Sequence, residues 1–286
     1  MAAARSAIVE APPTAWEDRA VSDLERATRS AYEQAAAAWA AGPHRVYGRL
    51  AAALLDRSPL RLDGATVLDV GAGTGVLGSE ARARGARCID ADVAVEMLAR
   101  DGHDGDRCAV GADGRALPFR DGTFDIVAGN CSLSHVTDPG RMLTAAVRVA
   151  RDGGAIVFSS FPAATTSHDA WHAVEDVLYE HGYERPGWYA HLKAATEPQV
   201  GTPDALLRLA AIAGIDAPDV ADVRVETGLD DPQVLADWRL GMAQHAAFLS
   251  GLPTARRRTI RAAAVARIGD DPTPLGIDML VLAGRV

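Results

Sequence analysis

Val67-Leu68-Asp69-Val70-Gly71-Ala72-Gly73-Thr74-Gly75 is the stretch on which the fold turns: an apolar run that ends in glycines and opens into helical sequence near Val76. Val67, Leu68 and Val70 read as a buried parallel strand, because strands covered on both faces carry near-continuous branched apolar residues. Gly71, Gly73 and Gly75 let the backbone turn sharply with no Cβ between it and a ligand. The first amides of the following helix face whatever occupies that turn. The spacing departs from a dinucleotide fingerprint, whose third glycine would fall on Val76. Asp69, at the strand's end, would repel a pyrophosphate and suits a cationic ligand.

Outward from this stretch, strands and helices alternate. Strands are expected at 67–70, 87–91, near 107–110, at 124–130 and at 155–161, with helices at 76–84, 93–100 and 138–151 between them. That alternation predicts a doubly wound parallel sheet with its ligand at the strand ends beside the first strand. Upstream, Pro12 and Pro13 mark residues 1–14 as a disordered tail, and helices over Trp16 to Ala41 and Arg45 to Asp56 form an N-terminal cap (15–58) on a single domain spanning 15–286. Downstream, 162–202 interrupts the alternation with a helix near 168–181 and gathers Trp171, Tyr179, Tyr183, Trp188 and Tyr189 in a chain that is only 5% aromatic. This concentration reads as a lid over a substrate pocket. A helix from Thr202-Pro203 to Ala213, a strand near Val220 to Glu226, a helical stretch 230–268 broken at Gly251-Leu252-Pro253, and a strand over Met279 to Ala283 complete the chain.

The 286 residues carry a net charge of −9, which argues against nucleic acid as a partner and leaves a small molecule as the expected one. The one dense basic run, Arg256, Arg257, Arg258 and Arg261, reads as a solvated helix face. Cys88, Cys108 and Cys131 are odd in number and widely spaced, so they are expected as small core residues of a reduced cytoplasmic protein, with neither disulfide nor metal site. No apolar run reaches the roughly 18 residues that span a bilayer, so no membrane association is expected, and the oligomeric expectation is monomer or homodimer.

Residues 67–75 closely resemble motif I of class I S-adenosylmethionine-dependent methyltransferases. Further elements follow in order. Ala31-Tyr32-Glu33-Gln34-Ala35 resembles the family's "F/Y-D-x-x-A", with Glu33 replacing Asp; Asp92-Val93-Ala94-Val95-Glu96-Met97-Leu98 resembles "D-x-S-x-x-M-L", with Ala94 replacing Ser. Gly111 to Phe119 resembles the "G-D-A-x-x-L-P-F" loop, and Phe124-Asp125-Ile126-Val127 the "F-D-x-V" strand. The resemblance implies an α/β, Rossmann-like seven-stranded sheet with an antiparallel last strand, N-terminal helices and helical lid insertions at 162–202 and 230–268. It implies S-adenosyl-L-methionine as cofactor, with Asp92 on the ribose, Asp113 on the adenine amino group, and Tyr32, Asp69, Gly71, Gly73, Gly75, Val93, Met97, Gly114, Asn130 and Cys131 as further contacts. Asp90 is expected to be structural.

Methyl transfer is an in-line displacement, so the protein must mainly align a nucleophile and exclude water; a base is needed only when that nucleophile arrives protonated. His135 aligns with the second histidine of the family's frequent "H-H-V", and His245 shares a helical face with Trp238 and Met242; these two histidines are the catalytic candidates. His168, Trp171, Trp188, Tyr189, Trp238 and Met242 are the substrate-binding candidates, built from the two insertions as a roof. His168 and His172 lack a visible third ligand, so no metal is expected. The function expected is methyl transfer to a small organic acceptor, with a cofactor-binding relative of other chemistry, such as cyclisation, as the alternative.

Overall fold

In a computed structural model the described residues are 7–10, 22–100, 107–164 and 167–286. In chain order the elements are β1 (Ala7–Glu10), α1 (Asp23–Ala41), α2 (Pro43–Leu55), β2 (Thr66–Val70), α3 (Val76–Ala83), β3 (Arg87–Asp92), α4 (Val95–Leu98), β4 (Cys108–Gly111), β5 (Phe124–Gly129), α5 (Pro139–Val149) and β6 (Ala150–Ser160). Then come α6 (Asp169–Glu180), α7 (Gly187–His191), a π-helical turn (Leu192–Thr196), α8 (Glu197–Val200), α9 (Pro203–Ala213), β7 (Asp216–Glu226), α10 (Pro232–Leu240), α11 (Ala243–Ser250), α12 (Thr254–Ile268) and β8 (Gly276–Arg285).

The strands lie in the order β1-β4-β3-β2-β5-β6-β8-β7. The seven expected strands are present, and β8 runs antiparallel between β6 and β7. An eighth strand extends the far edge: residues 7–10, expected within a disordered tail, pair in parallel with β4, Ala7 opposite Cys108 and Glu10 opposite Gly111. Composition alone misses it because a short edge strand is defined by its partner's free backbone groups. The first helix starts at Asp23, where Ser22 and Glu25 form a reciprocal capping box; the expected residues 16–21 lie outside the described residues.

Side-chain alternation along the strands divides the core in two. Val67, Ile126 and Val157 face Leu50 and Leu54 of α2 and Leu77 of α3. Leu68, Val127 and Ile156 face Met142 and Leu143 of α5 and Leu206 of α9. A satellite core, with Val174, Val177 and Leu178 of α6 against Leu240 of α10 and Ile260 and Ala264 of α12, joins the two insertions to each other. α10 presses so tightly on the α1–α2 corner that a Cβ on Gly42 would lie 2.2 Å from the Asp237 carbonyl oxygen. Of the α12 arginines, Arg256, Arg257 and Arg258 are exposed as expected, while Arg261 pairs with Asp237 and Arg267 with Glu180. Cys88 and Cys131 are buried as expected, whereas Cys108 is exposed near the sheet edge.

Candidate active site

At the C-terminal ends of β2, β3 and β5 lies a cavity of about 810 Å³, roofed by α1 and the start of α2. That is where an open parallel sheet offers free backbone groups and helix N-termini. The floor is the glycine turn. Gly71 has φ +76°, and a Cβ there would sit 2.5 Å from Ser132 Cβ, so the turn admits no other residue without displacing the β5 loop. Gly75, also at positive φ, caps α3 but is not among the cavity-lining residues.

Asp92 ends β3 with each carboxylate oxygen receiving one backbone amide: Oδ2 from Gly73 at 2.7 Å and Oδ1 from Ala94 at 2.8 Å. With Ala94 unable to cap α4 through a side chain, Asp92 holds that amide itself. Burial raises its pKa, against those hydrogen bonds. Asp69 is 1% exposed, lines the cavity, and has no hydrogen-bond partner on either oxygen. Burial, and then the neighbouring Asp90, push its pKa well above the carboxylate range, opposed by Arg107. The Gly78 amide of α3 also favours its charged form but makes no full hydrogen bond to it, and a buried acceptor left so under-satisfied fits a ligand that brings its own donors or positive charge.

Val93, Met97, Gly114, Asn130 and Cys131, the further candidates for cofactor contact, all line the cavity. Cys131 follows β5 at φ +56°, a strained value for a side-chain-bearing residue, held by its amide donating to Ser159 Oγ at 2.9 Å. Asn130 is fixed by donation from Nδ2 to the Tyr47 carbonyl at 3.1 Å.

Asp113 also lines the cavity, but its carboxylate is already engaged. Arg115 donates Nη2 to Oδ2 at 2.7 Å and Nε to Oδ1 at 3.0 Å. The same guanidinium reaches Thr137 Oγ1 at 2.7 Å and pairs with Glu25 of α1, forming a clasp between the roof and the loop that carries Asp113. Burial opposes ionisation of Glu25, but hydrogen bonds from Thr137, Arg115 and Ser22 outweigh it and hold the carboxyl at about 2. Since the folded value lies below the ordinary 4.5, the clasp stabilises the fold fully above that ordinary value and loses its contribution as pH falls from there towards 2. Glu25→Gln is therefore expected to lower the thermal midpoint at pH 7 and to flatten its fall between pH 5 and pH 2, measured by circular dichroism; an unchanged slope would assign that fall to other carboxylates.

The roof contributes Tyr32, Trp39 and Tyr47, whose rings follow one another at 5.6 and 5.0 Å. Tyr32 Oη lies 3.1 Å from His135 Nδ1. Burial, with a smaller push from Lys193, brings the His135 imidazole down to about 4, and burial raises the Tyr32 phenol far above its usual range. The pair is therefore neutral near pH 7, with one proton on the imidazole and one on the phenol.

Among the described residues the two insertions give the cavity wall a single residue. Leu192, from the turn after α7, lines the cavity, while Trp171, Trp188, Tyr189, Trp238, Met242, His168 and His245 are not among its lining residues. The helical face expected to join Trp238, Met242 and His245 does not exist, because the chain bends at Gly241 and α11 begins at Ala243, with Met242 as its cap. His245 is fully buried, donates Nδ1 to the Arg239 carbonyl at 2.8 Å, and is pushed down to about 3 by burial and then Arg239. His168 caps α6 through Nδ1 and donates Nε2 to the Thr273 carbonyl at 2.8 Å, so both nitrogens are engaged in tying α6 to the loop before β8. His172, its i+4 neighbour, bonds Ser167 Oγ. Trp171 stacks under the Arg239 guanidinium at 3.9 Å, Trp188 lies against Tyr189 at 5.6 Å, and Tyr189 faces Lys193. Trp238 lies in the core cluster that also holds Trp39 and Tyr47, and Trp171 and Trp188 pack against it. Trp238→Ala is accordingly expected to cost about 3–5 kcal/mol of stability and to leave S-adenosylhomocysteine affinity within a few tenths of a kcal/mol, read by denaturant melts and calorimetry. A selective loss of acceptor turnover at unchanged stability would restore the insertion to the pocket wall.

Residues 68–158 match the family model described as a methyltransferase domain. That match runs from β2 into β6, the half of the sheet that borders the cavity, and leaves the N-terminal helices and everything after β6 outside it. It is 42% identical over 106 residues to the demethylmenaquinone methyltransferase of Mycobacterium marinum, covering 37% of this chain and 46% of that protein. It is 29% identical over 180 residues to the malonyl-[acyl-carrier protein] O-methyltransferase of Pseudescherichia vulneris, covering 59% and 72%. The chain spans about half the length of the demethylmenaquinone methyltransferases it matches. Among solved structures, the [4+2]-cyclase SpnF aligns with a TM-score of 0.51 at 20% identity over 83% of this chain and 80% of that one, a likeness of fold alone.

Proposed function

We propose that this chain binds S-adenosyl-L-methionine and transfers its methyl group to a small organic acceptor, such as an intermediate of natural-product or other secondary metabolism. The observation that carries the reading is the meeting, around one cavity, of the glycine turn, the under-satisfied Asp69 carboxylate, the amide-held Asp92 and the neutral Tyr32–His135 pair. The cofactor, when bound, supplies an electrophilic methyl group on a sulfonium. Asp92 would accept from the ribose hydroxyls through the lone pairs that the two amides leave free. Asp69 would face the cationic methionine end. Asp113 would offer the adenine amino group a remaining lone pair while Arg115 fixes its orientation.

Toward the acceptor, the aromatic roof excludes water and orients a flat or apolar molecule. His135, neutral above about pH 4, can take the proton of an O–H nucleophile, with Tyr32 holding the ring. The names of the similar proteins, one acting on demethylmenaquinone and one on malonyl carrier protein, support an acceptor that is a quinol or an acid. The test is incubation with methyl-labelled S-adenosylmethionine and a panel of naphthoquinols and acyl carboxylates. Stoichiometric S-adenosylhomocysteine and methylated product are expected. A cofactor-bound protein that converts an acceptor without forming S-adenosylhomocysteine would favour the cyclisation alternative.

A further inference from the structure

Beneath the glycine turn lies a buried ion pair. Arg107, just before β4 and 3% exposed, donates Nε to Asp90 Oδ2 at 2.6 Å, Nη1 to the Leu98 carbonyl at 2.9 Å and Nη2 to the Gly73 carbonyl at 3.4 Å. A Cβ on Gly75 would stand 2.6 Å from Arg107 Cζ, so the guanidinium packs against the underside of the turn. This gives Gly75 a reason other than ligand contact: it makes room for Arg107. Asp90, fully buried, also receives Arg82 Nη2 at 3.5 Å and the Cys88 thiol at 3.4 Å. A Cβ on Gly78 would lie 2.0 Å from Asp90 Oδ1, so α3 sits directly on that carboxylate.

Asp90 is also the register partner of Asp69 across β2 and β3. Register partners on adjacent strands point to the same face of the sheet, so two buried carboxylates stand side by side. Both cannot hold charge there without a cation. Arg107 binds the inner one, and the outer one faces the cavity with no hydrogen-bond partner.

We propose that Arg107 is a positioning residue for the cofactor: by neutralising Asp90 and bracing the Gly73 carbonyl, it lets Asp69 take on charge at the cavity floor when a cationic ligand enters. The charged groups that act on Asp69 are consistent with this: Asp90 and Asp92 from β3 oppose its ionisation and Arg107 favours it, with Arg82 of α3 and Cys88 of β3 acting on Asp90. The proposal rests on the cofactor reading above.

The experiment is calorimetric titration of S-adenosylmethionine and S-adenosylhomocysteine into the full chain between pH 5 and pH 9. Wild-type affinity is expected to fall as pH drops and Asp69 takes up a proton, and Asp69→Asn should erase that step. Arg107→Met should move the step to higher pH by about one unit or more, equivalent to roughly a tenfold loss of affinity at a fixed pH on its flank. Asp90→Asn should move it to lower pH, because one repelling charge is gone and Arg107 is freed for Asp69. Arg107→Lys should keep the step near its wild-type position while lowering affinity throughout, since the fork to Gly73 and Leu98 is lost. A general loosening of the turn would shift Arg107→Met and Asp90→Asn in the same direction, and that result, or superimposable profiles, overturns the proposal. Should Arg107→Met fail to fold, an unshifted or upward-shifted Asp90→Asn profile overturns it alone. Wild-type protein that binds neither ligand at any pH would instead sink the cofactor reading.

Discussion

Asp92→Ala is expected to weaken S-adenosylhomocysteine binding by about 3 kcal/mol or more, roughly a hundredfold, since hydrogen bonds to a charged acceptor contribute about 1.5–3 kcal/mol each. The loss has two sources. The ribose hydroxyls lose their acceptor, and the Gly73 and Ala94 amides, which the same carboxylate holds at 2.7 and 2.8 Å, lose theirs, so the turn and the start of α4 both loosen. Asp92→Asn keeps one acceptor oxygen but sets an N–H against one of those amides, and should fall between alanine and wild type. Calorimetry on all three proteins, with thermal midpoints measured alongside, separates ligand contact from collapse of the turn. Unchanged affinity in the alanine variant would move the ribose contact elsewhere.

His135→Ala should lower turnover of an O–H acceptor by about 10²- to 10⁴-fold, the range for a positioned general base, while S-adenosylhomocysteine affinity stays nearly constant. The sign of the pH dependence follows from the depressed imidazole. The base is competent when neutral, so its acid limb in wild-type turnover should lie near pH 4, with activity rising through that value. Tyr32→Phe removes the hydroxyl 3.1 Å from Nδ1 and frees the ring to rotate. Its turnover should be intermediate, with an acid limb moved upward because a phenol donating to Nδ1 favours the neutral imidazole and that hydrogen bond is gone. An acceptor carboxylate, already ionised, would be methylated almost as fast by His135→Ala; that result would remove His135 from proton transfer.

Some of this molecule is written locally in the chain. Val67 to Gly75 specifies a strand, a turn and a helix start from neighbouring residues alone, because branched apolar side chains, glycine's tolerance of positive φ and the helix that follows are short-range preferences. The alternation after it fixes a doubly wound sheet, since parallel strands need a crossover and crossovers share one hand. The places of Asp69 and Asp92 were legible for the same reason: a residue at the C-terminal end of a parallel strand lies on the edge where the cavity opens whatever the rest of the chain does.

Tertiary structure alone decided the pairings. Glu25 meets Arg115, and Tyr32 meets His135 across 103 positions, by the seating of α1 on the sheet, which no periodicity within α1 encodes. The aromatics of the first insertion were visible as a cluster, yet composition could not say whether they face a ligand or α10. In the fold α10 meets the α1–α2 corner at Gly42 and Gly241, where no side chain would fit, and the aromatic rings on the cavity wall are Tyr32, Trp39 and Tyr47 of α1 and α2. Arg107 carried no sequence signal, because its neighbours Asp90, Leu98 and Gly73 become neighbours only once three separate segments have packed. Such a charge is stable in a core only when those partners are all in place, and their assembly is a property of the folded chain.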